Sequence, residues 1–100
     1  KMQQPKYVPW GHGDEERGSE NRPISTFSAG RDPKYAQELL NQAYQDTVSE
    51  EEYPKYLYTY DMKNECFVQY RYDRNQQYHG MDIKDDDARI PENVHRKYNK

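Results

Sequence analysis

The sequence predicts an α+β domain: one main helix, then a three- to four-stranded antiparallel meander, then a short closing helix. Two observations carry this. Ala36, Leu39, Leu40, Ala43, Tyr44 and Val48 recur at helical spacing behind an Asp32-Pro33 start. From Tyr56 the period changes to two, through three runs separated by polar turns. Ahead of both, Pro5, Pro9, Gly11, Gly13, Gly18, Pro23 and Gly30 interrupt every regular element. Residues 1–32 therefore read as an irregular N-terminal arm or linker, and residues 33–100 as the domain.

Within the arm, Tyr7, Val8 and Trp10 can pack as an aromatic arm on the rest of the fold, and Ile24, Thr26 and Phe27 can form a short first strand. Gly11 to Gly18 reads as a loop. Asp32 suits an N-cap and Pro33 the first helical position, so the helix is expected over 33–48. Pro54 ends any continuation. In the first strand Tyr56, Tyr58 and Tyr60 share one face and Leu57 and Thr59 the other. Lys63-Asn64 turns the chain. Cys66, Val68, Tyr70 and Tyr72 then oppose Phe67, Gln69 and Arg71. Asp73 to Gln76 makes the second turn, after which His79, Met81 and Ile83 oppose Tyr78 and Asp82. Pro91 opens a terminal helix carrying Val94 and Tyr98.

Leu, Ile, Val and Phe number only 12 in 100 residues, so an aliphatic core would be too small. Eleven tyrosines and Trp10 supply the missing apolar area. The expected core is thin and aromatic, with each buried hydroxyl hydrogen-bonded. The single Cys66 excludes an internal disulfide and a cysteine-based zinc site. No run approaches a transmembrane span. Residues 31–54 carry two basic against six acidic side chains, and residues 55–80 four against three. A net charge of −3 argues against non-specific duplex binding, yet leaves room for a local basic site.

His79 is the sharpest candidate for chemistry. A histidine on a strand with Arg71, Arg74 and Tyr78 nearby suits acid–base work on a phosphodiester. His79 would move the proton and Arg71 or Arg74 would stabilise phosphate charge. Tyr78 would donate a proton, and Tyr70, Tyr58 and Tyr60 would offer stacking surfaces for bases. The ordinary alternative is a hydrogen-bonded histidine on a polar face, with the arginines paired to Asp73, Asp61 or Glu65. Asp82 and Asp85 to Asp87 match no calcium loop and read as a solvated turn. His12 and His95 lack partners at ligand spacing, and Cys66 reads as a small buried hydrophobe. No metal or cofactor is expected.

The helix Ala36-Gln37-Glu38-Leu39-Leu40-Asn41, the run Tyr58-Thr59-Tyr60-Asp61 with Phe67-Val68, and the Tyr78-His79-Gly80 step resemble C-terminal effector domains of bacterial polymorphic toxins, of the contact-dependent inhibition and Rhs types. The resemblance covers about half the chain. It implies the helix-plus-twisted-sheet fold of the barnase, EndoU, colicin and RelE group. It also implies a metal-independent ribonuclease acting on RNA, with tRNA among the candidate substrates, and a cognate immunity protein. Such a domain is secreted within a larger bacterial protein and acts in the target-cell cytoplasm, and a start at Lys1-Met2 agrees with excision from a longer chain. Acidity and tyrosine richness suit instead a non-catalytic interaction protein, such as an immunity protein or a phage-type inhibitor.

Overall fold

The structure is a computed structural model that describes residues 4–8 and 31–100. Among these are strands β1 (Lys6–Tyr7), β2 (Tyr56–Asp61), β3 (Cys66–Tyr72) and β4 (Gln77–Ile83), with helices α1 (Pro33–Asp46) and α2 (Glu92–Tyr98). The α+β class and the helix–meander–helix order are as the sequence predicts. The candidate strand at Ile24, Thr26 and Phe27, the Gly11 to Gly18 loop, His12 and Trp10 lie outside the described residues.

Helix α1 starts where expected. Asp32 is extended (φ −81°, ψ 171°), and its Oδ1 accepts the Tyr35 amide at 2.8 Å, with Pro33 at the first position. The helix stops at Asp46 because Thr47 leaves the helical region (φ −84°, ψ 118°). The Thr47 hydroxyl accepts the Tyr58 amide on the outer edge of β2 at 3.1 Å. Val48, placed in the apolar stripe by spacing, therefore lies beyond the helix and is 85% exposed.

The sheet order is β1-β4-β3-β2, with β2–β3 and β3–β4 antiparallel. One strand departs from the all-antiparallel expectation. The fourth strand comes from the N-terminal arm and runs parallel to β4, with Lys6 opposite Gln77 and Tyr7 opposite Tyr78. Parallel neighbours require a long crossover, and here α1, β2 and β3 all lie between them in sequence. Side chains close both sheet edges, which would otherwise template another chain. Gln42 Nε2 donates to the Tyr60 carbonyl at 3.0 Å beside Thr47. At the other edge Gln37 accepts the Tyr7 amide and donates to the Pro5 carbonyl.

Each face of the sheet carries its own core. Leu39, Leu40 and Ala43 of α1 pack on Leu57, Val68, Tyr70 and Tyr78. On the other face, Ile90 and Val94 pack on Tyr58, Tyr60, Phe67 and Ile83. The aromatic core satisfies its polar atoms as expected. Tyr70 donates to the Ala36 carbonyl at 2.7 Å and Tyr78 to the Pro54 carbonyl at 2.5 Å. No buried side-chain nitrogen or oxygen among the described residues lacks a partner.

Two buried carboxylates lock the layers together. Asp46 Oδ2 accepts from Thr59 (2.8 Å) and Tyr98 (2.6 Å), and its Oδ1 accepts from Lys97 (2.6 Å), which ties the end of α1 to α2. Asp61 Oδ2 accepts from Arg31 Nη2 (2.6 Å) and Nε (3.0 Å), and Arg31 Nη1 reaches Asp82 at 2.5 Å. Asp61 Oδ1 accepts from the Tyr35 hydroxyl and from the Lys63 and Asn64 amides, so the same carboxylate shapes the β2–β3 turn. Burial pushes the Asp61 carboxyl up, but hydrogen bonds from Tyr35, Asn64 and Arg31 outweigh it and hold it at about 2. Asp61 is thus Arg31's partner rather than that of Arg71 or Arg74.

Candidate functional site

Register arranges the sheet face opposite α1 as three rows. Tyr56, Arg71 and His79 stand opposite one another across β2, β3 and β4; Tyr58, Gln69 and Met81 form the next row, and Tyr60, Phe67 and Ile83 the third. The third row is the apolar end. Its Tyr60 and Phe67 rings meet edge to face at 4.9 Å, and Ile90, Val94 and Tyr98 cover them. Tyr60, four residues along β2 from Tyr56, is displaced by about 13 Å from the His79 row. It belongs to the core.

The first row is the polar end. His79 is 7% exposed, with Nδ1 2.6 Å from the Val8 carbonyl and Nε2 3.3 Å from Asp73 Oδ2. A carbonyl can only accept, so the Val8 contact puts a proton on Nδ1. Both ring nitrogens face acceptors, so the doubly protonated ring fills both contacts. In the neutral ring the Val8 contact leaves the lone pair on Nε2 against the Asp73 carboxylate, and a base role requires Asp73 to move aside. Protonated at Nε2, the ring donates to Asp73. Arg71 is the direct cross-strand partner of His79 and is exposed. Side chains at such positions have Cβ atoms about 5 Å apart. Among the described residues the Arg71 guanidinium makes no ion pair, so the ordinary pairing with Asp73, Asp61 or Glu65 does not form.

The second row adds polar groups. Gln69 donates to the Tyr58 hydroxyl at 3.0 Å, and both residues are nearly buried. Burial raises the Tyr58 phenol, and the Arg89 charge acts against it. Arg89, from the loop between β4 and α2, is held by Asp87 in a two-pronged pair (Nε to Oδ1 3.0 Å, Nη2 to Oδ2 2.8 Å). The acidic turn, solvated at Asp85 and Asp86, thus holds Arg89 beside it through Asp87.

Other candidates fall elsewhere. Tyr78 and Tyr70 lie on the α1 face, fully buried, with hydroxyls committed to backbone carbonyls, and burial pushes both phenols up. Neither shares a face with His79. Arg74 sits exposed in the β3–β4 turn and pairs with no acid among the described residues. The Tyr78-His79-Gly80 step now has a local explanation. Tyr78 fills the core and His79 faces the site. Gly80 stands opposite Tyr70, where a missing side chain leaves room for that ring and for Tyr7 edge-on at 6.4 Å. Asp73, Val8, Gln69 and Arg89 escaped sequence reasoning. Only Asp73 had a signal, its place in the turn before the His79 strand.

Among the described residues no group of three or more His, Cys, Asp or Glu side chains is placed to hold a metal ion, and no helix is long and apolar enough to cross a membrane. Compared with protein-family models, with curated proteins and with solved structures, the chain matches none.

Proposed function

We propose that this chain is a metal-independent ribonuclease effector domain of a bacterial competition toxin, with His79 as proton carrier and Arg71 as phosphate-stabilising cation. The observation that carries this is the cross-strand pairing of Arg71 with His79, whose Nδ1 is engaged by a backbone carbonyl. His79 Nε2 takes the ribose 2′-hydroxyl proton and the 2′-oxygen bonds to phosphorus. The bond from phosphorus to the 5′-oxygen breaks, and water protonates the leaving oxygen. The products are a 2′,3′-cyclic phosphate and a 5′-hydroxyl. Arg71 offsets the charge that develops on the non-bridging oxygens. A larger secreted polypeptide would deliver the domain to a target cytoplasm, and an immunity protein would cover this face. The test is incubation of the full chain with total RNA in EDTA. Cleavage by the parent and its loss in His79→Ala support the reading; intact RNA with the parent removes it.

A second reading, a non-catalytic interaction protein, draws on a different surface. Tyr44, Tyr53 and Tyr72 stack at 6.1 and 6.2 Å with interplanar angles of 19°, half-buried beside the exposed Glu50 to Glu52. Expression in a bacterial cytoplasm separates the two. Growth arrest relieved by His79→Ala fits the toxin, and harmless accumulation of the parent fits the binder.

A further inference from the structure

We propose that Gln37, acting through β1, is a positioning residue that holds the His79 imidazole in its Nδ1–H tautomer; only its catalytic consequence rests on the ribonuclease reading. Strand β1 has two residues and lies at a sheet edge, so its ladder alone is a weak anchor. That ladder includes Lys6 N–H to the Gln76 carbonyl (2.8 Å) and Val8 N–H to the Tyr78 carbonyl (3.0 Å). On the outer side the Gln37 carboxamide takes the place of a neighbouring strand. Its Oε1 accepts the Tyr7 amide at 2.7 Å and its Nε2 donates to the Pro5 carbonyl at 3.0 Å. Nε2 also donates to Asn41 Oδ1 at 2.9 Å, one helical turn on. The three contacts leave one orientation for the amide, because a flip would set N–H against N–H and oxygen against oxygen.

The segment so clamped ends at Val8, whose carbonyl lies 2.6 Å from His79 Nδ1. Asn41, Gln37, β1, Val8 and His79 therefore form one contiguous chain of contacts. Were β1 released, the neutral ring would return toward the Nε2–H form that free histidine favours. The proton would then occupy the nitrogen facing Asp73, and the base lone pair would turn away from the Asp73 side.

The experiment is imidazole nitrogen NMR on the full chain in alkaline buffer. The His79 signal is assigned by its loss in His79→Gln, and the parent is compared with Gln37→Leu. The parent should show the Nδ1–H pattern, and Gln37→Leu a mixed or Nε2–H pattern. Amide exchange at Val8 should accelerate by about tenfold or more while exchange at Val68 in β3 stays unchanged. RNA cleavage should fall by about tenfold or more in kcat with KM preserved. An unchanged tautomer in Gln37→Leu overturns the proposal, as does exchange that rises equally at Val8 and Val68, which would make Gln37 merely structural. If Gln37→Leu fails to fold, Asn41→Ala loosens the same amide and is judged by the same readouts. A parent that leaves RNA intact would sink the ribonuclease reading, while the tautomer and exchange data still decide this one.

Discussion

Replacing Asp61 by Asn should destabilise the fold and remove much of its acid sensitivity. The carboxylate is fully buried and takes two hydrogen bonds from Arg31, one each from Tyr35, the Asn64 side chain and the Lys63 amide, and one from the Asn64 amide. Its pKa lies at about 2 against an ordinary 3.8. The unfolded chain therefore binds more protons between those values. Stability from this group is complete above pH 3.8 and lost as pH falls through about 2. The shift corresponds to on the order of 2 kcal/mol. Asp61→Asn also leaves a buried guanidinium short of its main counter-charge. Breaking such a pair costs about 3–5 kcal/mol, and the remaining Asp82 contact puts the expected loss at the low end, about 3 kcal/mol. Urea titrations at stepped pH from 5 to 2 measure both effects. The double variant Arg31→Met/Asp61→Asn should lose less than the sum of its singles. Asp87 titrates in the same window through its Arg89 pair, but that arginine is half exposed, so Asp87→Asn should change the profile little. An Asp61→Asn protein that keeps the parental acid profile, or loses less than about 1 kcal/mol, would refute the buried-pair argument.

Three further outcomes follow from the same geometry. On the proposed reaction, Arg71→Ala should lower RNA cleavage by about 100-fold or more with stability within about 0.5 kcal/mol of the parent, measured by kcat and thermal melting, because the exposed guanidinium makes no ion pair among the described residues. Tyr70→Phe should remove a second hydrogen bond from the Ala36 carbonyl, which keeps its helical bond inside α1, and cost about 0.5–1.5 kcal/mol in urea titration while cleavage per folded molecule is unchanged; a large activity loss would return Tyr70 to the site. Leu40→Ala should cost about 2–5 kcal/mol from its fully buried position under the sheet, whereas Val48→Ala should stay within about 0.5 kcal/mol.

Periodicity was legible wherever local physics decides. The Asp32-Pro33 cap, the period-two runs and the separation of the His79 face from the Tyr78 face all follow from backbone geometry that neighbouring residues impose. The helix end was not, because Thr47 leaves the helix to serve an amide eleven residues away on β2. Nor was the partner of Asp61, since Arg31 lies 30 residues from it along the chain. The site divides the same way. His79 and Arg71 were candidates by residue type. The ordering of Tyr56, Arg71 and His79 into one row required a strand register that the turn residues alone leave open.

By itself, then, the amino-acid order determined an aromatic α+β domain with one histidine on the sheet face opposite Tyr78. Alternation and capping are short-range properties, and they survive without knowledge of the fold. The tertiary structure decided which cation stands beside that histidine, that its ring nitrogens meet Val8 and Asp73, and that β1 closes the sheet as a parallel strand. Each of these depends on contacts between distant segments. Their energies come from pairing and burial, which no local pattern encodes.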